Sequence, residues 1–450
     1  MSLSVRTDRK LVRAGTSSTR YAMVSFDAPD APAKQGRQPV NVALVLDRSG
    51  SMGGEKIRLA REAVRQALRT LRATDRFSLV VYDDRVDVVV ESTHATAEAV
   101  RNALDRLEQI DARGSTDLGG GWLKGCEQVS AVCGPGSASD LRLAAPKPPC
   151  GEGGTSGSSD AAPDDPNAWI NRCLLVTDGL ANVGITDPGE LAHHAGELRA
   201  RGVVTSTFGI GADFDENLLR AMADAGGGHF YFIERAVQIP DCLTGELGEA
   251  LAVVARDALV RIELPAGVAA EPLNALRHHR TPQGLEIALG DLVSCQVVEV
   301  VVKLTFPAAA TGDTAAARFG VSDKEGVLGG DWQPAVWMYA DQADDDRQER
   351  DRVVDRAVAR MYAARARAGA LELNRAGHFD RAQAMLEKTR RRILEYAGDD
   401  AELQRIADDL HESYEVMSAP MAAMTMKEVF AASYNVMSLR DSTGKARRRT

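Results

Sequence analysis

The residues most capable of chemistry are oxygen donors in a fixed order along the chain. "VALVLDRSGSMGGEK", residues 42–56, carries an apolar run into Asp47, Ser49 and Ser51, alternating ahead of a helix-like segment. "RGSTDLGGG" puts Thr116 on a glycine-rich loop before another helix, and "LLVTDGLANVG" puts Asp178 at the end of a second apolar run. Three hydroxyls and two carboxylates make a donor set for an oxygen-loving divalent cation. Other uses of the first loop fail on spacing. A phosphate-cradling loop needs G-x-x-x-x-G-K-[ST], which "GSMGGEK" lacks. An EF-hand begun at Asp47 needs Gly and Glu where Met52 and Arg58 stand. A phosphatase with an aspartyl nucleophile usually carries a second Asp where Ser49 stands, and "DRSGS" is not the G-x-S-x-G nucleophile elbow. No H-E-x-x-H glutamate accompanies the donors as a general base, which disfavours metal-assisted hydrolysis. Arg48, between the donors, is expected to be exposed on the same face and to contact a partner.

Such donors converge only if the strands carrying them lie side by side. From Val40 short apolar runs alternate with helical segments, the pattern of an α/β fold with a doubly wound, mostly parallel sheet. Strand candidates are "VNVALVL", "RFSLVVYD", "VDVVVES", "NRCLLVTD", "VVTSTFGIG" and "GHFYFIE". Helices are expected over 55–72, 96–109, 117–131, 188–201, 215–225 and 239–256. The third strand follows the second after Asp83 and Asp84 alone, which implies an antiparallel hairpin at one edge. In open α/β sheets ligands bind beyond the carboxyl ends of strands where the winding reverses, and the Asp47 loop occupies such a place.

Beyond Arg256 the period becomes two. Val298, Val300, Val302, Leu304 and Phe306 share one face of "CQVVEVVVKLTF", as antiparallel sheet requires. "LSVRTD" and "TRYAMVSFD" near the N-terminus have the same character, so the α/β domain is expected to be inserted in an antiparallel β-sandwich. The expected organisation is N-terminal sandwich strands at 1–38, the α/β domain at 39–256, the rest of the sandwich at 257–340, a helical hairpin region at 341–420 and a flexible basic tail at 421–450. A Gly-, Ser- and Pro-rich stretch at 134–166 reads as a disordered insertion. "NRAGHFDRAQA" has the spacing of one tetratricopeptide unit, which cannot bury its own face and should pack on the sandwich.

The 450 residues are 26% charged with a formal net charge of -10, which disfavours nucleic acid and anionic membrane as partners. With neither a signal-peptide pattern nor a membrane span in the sequence, a soluble, cytoplasmic protein is expected. Six cysteines without a C-x-x-C pair signal neither a disulfide framework nor a zinc site. The pairs His193-His194 and His278-His279 read as surface, His229 as packed and Trp122 as core.

D-x-S-x-S at 47–51, Thr116 after a Gly-Ser turn and T-D-G at 177–179 resemble the complete metal-ion-dependent adhesion site of von Willebrand factor type A domains. The flanking layout is similar to bacterial proteins resembling the inter-alpha-trypsin inhibitor heavy chains and the calcium-activated chloride channel-like group. The resemblance implies that Ser49, Ser51 and, in the ligand-bound state, Thr116 hold the metal directly, while Asp47 and Asp178 act largely through waters. It also implies a non-enzymatic protein-binding module, an intracellular scaffold or adaptor, in which Mg2+ (Mn2+ or Ca2+ as substitutes) accepts a partner's Asp or Glu carboxylate. Few carboxylates in direct contact favour magnesium over calcium. The alternative is a partner subunit of an AAA+ ATPase or chelatase-type machine. A channel role is opposed by the missing membrane span.

Overall fold

The computed structural model describes residues 2–31, 38–130, 169–441 and 443–449; the stretch expected to be an insertion lies outside them. Three strands open the chain: β1 (Ser4–Thr7), β2 (Leu11–Arg13) and β3 (Ser18–Asp27). They belong to a discontinuous unit, Met1–Gln35 with Ala252–Thr450, while Gly36–Leu251 forms a second unit.

The second unit alternates strand and helix: β4 (Val40–Asp47), α1 (Glu55–Thr70), β5 (Arg76–Tyr82), β6 (Val86–His94), α2 (Ala97–Leu107), α3 (Leu118–Ser130), β7 (Ile170–Thr177), α4 (Pro188–Ala200), β8 (Val203–Ile210), α5 (Glu216–Gly226), β9 (Gly227–Ile233) and α6 (Ile239–Ala250). Its sheet runs β6-β5-β4-β7-β8-β9. All pairings are parallel except the β5–β6 hairpin at one edge. Every residue of β4 and of β7 is buried, as strands covered on both faces must be. The chain leaves β4 toward β5 on one side and returns to β7 on the other, so the winding reverses beside the end of β4.

Glycines decide how closely α3 approaches this sheet. A Cβ at Gly121 would stand 2.4 Å from the Tyr82 ring, and one at Gly125 would stand 2.2 Å from Val45 Cγ2. The helix therefore lies directly on β4 and β5, and this fixes the loop ahead of it.

The first unit continues with β10 (Val253–Glu263), β11 (Ala269–Pro272), β12 (His278–Thr281), β13 (Gly284–Val293), β14 (Val297–Phe306), β15 (Thr314–Ser322) and β16 (Gln333–Ala340). Two sheets form, β1-β3-β14-β11 and β12-β13-β10-β15-β16-β2. β14 pairs with β3 along its whole length, from Val297 opposite Asp27 to Phe306 opposite Ser18. Its period of two sorts the core: Val298, Val300, Val302, Leu304 and Phe306 pack with Ile262, Phe319 and Trp337 inside the sandwich. Val301 points the other way, to Met23, Val354 and Val358. A helical series follows the strands: α7 (Gln342–Arg347), α8 (Arg352–Arg375), α9 (Phe379–Ala397), α10 (Ala401–Val416) and α11 (Ala423–Met437); Val354 and Val358 belong to α8. α8 thus covers the outer face of the smaller sheet. None of the described helices is long and apolar enough to cross a membrane.

Two expectations about the elements need correction. The helix expected over 239–256 stops at Ala250, and Val253 already pairs with Val293 in β10, because tertiary strand pairing outweighs the local helical pattern. The segment 421–450, expected to be flexible, contains α11, which buries Phe430, Tyr434 and Met437. Beyond it Arg447 O accepts the Val297 N–H at 2.8 Å, and the Arg449 N–H donates to Cys295 O at 2.9 Å. The basic tail finds acids far away in sequence: Arg449 lies 3.6 Å from Asp27.

Candidate functional site

Asp47 closes β4 with its carboxylate fully buried. Oδ1 accepts the Ser49 N–H at 2.7 Å, bending the chain sharply off the strand. Oδ2 accepts the Thr177 hydroxyl from the end of β7 at 2.6 Å. Burial pushes this carboxyl up to about 6, against the pull of the Thr177 and Ser49 hydrogen bonds. The Ser49 and Ser51 hydroxyls stand 3.1 Å apart, and Ser51 Oγ donates to Asp178 Oδ1 at 2.6 Å. Lys56, from the first turn of α1, pairs with the remaining Asp178 oxygen.

Thr116 comes from the loop ahead of α3, which is stitched to its neighbours through backbone. Gly50 N–H donates to Gly114 O at 3.2 Å, Arg113 N–H to Arg48 O at 2.7 Å and Asp117 N–H to Asp83 O at 2.7 Å. Asn182 and Val183 donate to Thr116 O at 3.1 and 3.2 Å, so the loop after Asp178 is tied to it as well. A Cβ at Gly179 would stand 3.5 Å from Thr116 Oγ1 and 3.7 Å from Ser51 Oγ. Two hydroxyls from different loops thus come together beside Gly179. Asp47, Ser49, Ser51 and Asp178 form one hydrogen-bonded chain, and Thr116 adjoins it across Gly179. Every donor is a hard oxygen, a set that fits a small divalent cation and not a soft one.

Arg48 is corrected. It is only 8% exposed, its Nε donates to Asp83 Oδ2 at 2.8 Å and its terminal nitrogen pairs with Asp87. Arg113 Nε reaches the same Asp83 oxygen at 2.7 Å. The side chain turns away from the hydroxyls toward the β5–β6 hairpin, where buried Asp83 needs a counter-charge. It locks loop to sheet.

Sequence reasoning gave no role at the site to Lys56, Thr177 or Asp83. Thr177 could have been found from its place beside Asp178 at a strand end; Lys56 and Asp83 carry no local signal. Of the residues read as structural, Trp122 is fully buried with Nε1 donating to Thr205 Oγ1 at 3.2 Å, and His193, His278 and His279 are exposed. His229 lies with Glu246 and Glu249, their ligand atoms within 4.8 Å of one another. Glu246 there already accepts the Tyr231 hydroxyl at 2.7 Å and the Ser206 hydroxyl at 2.5 Å, an internal polar network under the last strand of the sheet.

Two family models, both described as the von Willebrand factor type A domain, match residues 42–129 and 165–232. An uncharacterised protein of Escherichia coli K12, YfbK, is 30% identical over 231 residues, 51% of this chain and 34% of its own length. Human inter-alpha-trypsin inhibitor heavy chain H4 is 27% identical over 199 residues, 44% of this chain and 18% of its own length. The chain therefore spans about a third or less of these two relatives. Among solved structures, a von Willebrand factor type A protein from Catenulispora acidiphila aligns over 93% of this chain and 97% of its own, with a TM-score of 0.63 at 17% identity. The ArnB paralog VWA2 from Sulfolobus acidocaldarius aligns over 93% and 99%, with a TM-score of 0.54 at 17% identity. These two share the fold along nearly the whole chain. With both family models falling on the unit that carries Asp47, Thr116 and Asp178, that unit is a von Willebrand factor type A domain.

Proposed function

We propose that this chain is a non-enzymatic, divalent-metal-dependent protein-binding module, an adaptor whose partner presents an Asp or Glu carboxylate. Domains of this family are typically protein-interaction modules, and the reading adds the chemistry of the contact. Ser49, Ser51 and Thr116 would hold the ion, with Asp47 and Asp178 behind them and magnesium the preferred occupant. Bound there, the ion would supply a positive, ligand-exchanging centre for the partner's acid. The observation that carries the reading is the convergence of the Ser51 and Thr116 hydroxyls on Gly179, beside the hydrogen-bonded chain of Asp47, Ser49, Ser51 and Asp178.

The chain's own residues do the rest. Asp47 and Asp178 are buried and aimed by Ser49, Thr177 and Ser51, so their charges are fixed before any ligand arrives. The loop after Asp178, tied to Thr116, exposes Leu180 and Val183 beside the hydroxyls and offers a partner apolar contact around its acid. Affinity capture from native extract, with and without chelator, tests the reading when combined with magnesium calorimetry. Asp47→Ala and Asp178→Ala should abolish metal binding and capture together. Thr116→Ala should keep the fold and part of the metal affinity while weakening capture. Capture that survives both Asp47→Ala and chelation would show that recognition uses another surface.

A further inference from the structure

The Lys56 ammonium needs an explanation that its helix cannot give. It is the second residue of α1, at the helix end where the backbone dipole disfavours a cation. A lysine serving the helix would stand at the other end. Gly53 and Gly54 form the turn into α1, and Gly54 takes a φ of 74°, a left-handed conformation that glycine adopts freely. That turn delivers Lys56 to the floor of the site, where Nζ pairs with Asp178 Oδ2. Asp178 is fully buried and gives its other oxygen to Ser51, whereas the lysine side chain is 28% exposed. One end of the pair is fixed and the other is partly in solvent.

We propose that Lys56 is a built-in counter-cation, a positioning residue that holds Asp178 Oδ2 and sets how strongly the site binds a dication; this rests on the metal-site reading given above. Two carboxylates and one ammonium give the site a formal charge of one negative. A dication then leaves one positive charge to receive a partner's carboxylate. Without the lysine the same occupancy would be formally neutral, with tighter metal and a weaker pull on the acid. The ammonium also neutralises Asp178 while no metal is bound, so that two neighbouring buried carboxylates need not face each other unscreened.

The test is titration of the full chain with magnesium chloride alone, in the wild type, Lys56→Met, Lys56→Gln and Lys56→Arg. Lys56→Met and Lys56→Gln should bind magnesium about tenfold more tightly, the size expected for removing one positive charge a few ångströms from a dication in a water-like medium. Lys56→Arg, which keeps the charge, should stay close to the wild type. In chelator, Lys56→Met should melt below both the wild type and Lys56→Arg. A lysine that only props Asp178 in place would give the opposite result, weaker magnesium binding in both neutral variants. Unchanged or weakened binding in them overturns the counter-cation role. Absence of magnesium binding by the wild type overturns the metal-site reading itself, so the two failures are separable. Lys56→Gln keeps a polar chain of similar reach, so the comparison survives if Lys56→Met does not fold.

Discussion

The Thr177 hydroxyl donates to Asp47 Oδ2 at 2.6 Å and so joins the carboxyl ends of the adjacent parallel strands β4 and β7. The bond satisfies a buried carboxylate oxygen and aims the other toward Ser49. Thr177→Val keeps the shape and removes the donor, so it should lower stability by about 1–3 kcal/mol. It should also weaken magnesium binding, whereas Thr177→Ser should retain both properties. Urea unfolding and calorimetry on the same preparations check this.

The buried Asp47 carboxyl makes metal-free stability depend on pH in a definite direction. Its folded value of about 6 lies above the roughly 3.9 of an unfolded aspartate. Between those values the folded chain holds the extra proton, so the contribution of Asp47 to stability declines as pH rises from about 4 to about 6 and is constant above. Asp47→Asn has no such proton to lose. Measured in chelator, the stability of Asp47→Asn relative to wild type should rise across that interval; a difference that stays flat would contradict the assignment.

Glycines of α3 and α4 should respond to alanine with opposite signs. Gly125→Ala would drive a methyl into Val45 Cγ2, and Gly121→Ala one into the Tyr82 ring. Each should cost about 1–3 kcal/mol through overpacking. A Cβ at Gly196, within α4, meets nothing within 4 Å. Gly196→Ala should therefore stabilise by up to about 1 kcal/mol through helix propensity. Thermal melts of the three variants decide it.

Arg48 acts within the fold. Arg48→Ala should destabilise by about 2–3 kcal/mol, less than a fully orphaned buried charge because Arg113 still reaches Asp83. Magnesium affinity should change little in molecules that remain folded. Denaturant midpoints together with magnesium titration check both halves. A large loss of partner capture with unchanged stability would restore the exposed role that the sequence suggested.

The sequence by itself determined most of the elements and singled out the candidate donors. Apolar runs such as "VNVALVL" and "NRCLLVTD" read as doubly covered strands, and the period of two in "CQVVEVVVKLTF" separates sandwich from α/β sheet. Both signals arise within a few residues, from side chains that must alternate or be buried throughout. Asp47, Ser49, Ser51 and Asp178 could be singled out as candidate donors for the same reason, because strand-to-helix loops place their side chains by local backbone geometry; Thr116, between α2 and α3, was singled out by its glycine-rich loop. What only the tertiary structure decided are the partners of charged groups. Arg48 could not be read as buried until β5 and β6 brought Asp83 and Asp87 beside it. Lys56 meets Asp178 only because β4 and β7 are neighbours, and the end of the basic tail is held by Cys295, Val297 and Asp27. A long charged side chain has no period to betray its destination, and opposite charges far apart in sequence are paired by whichever strands the fold sets side by side.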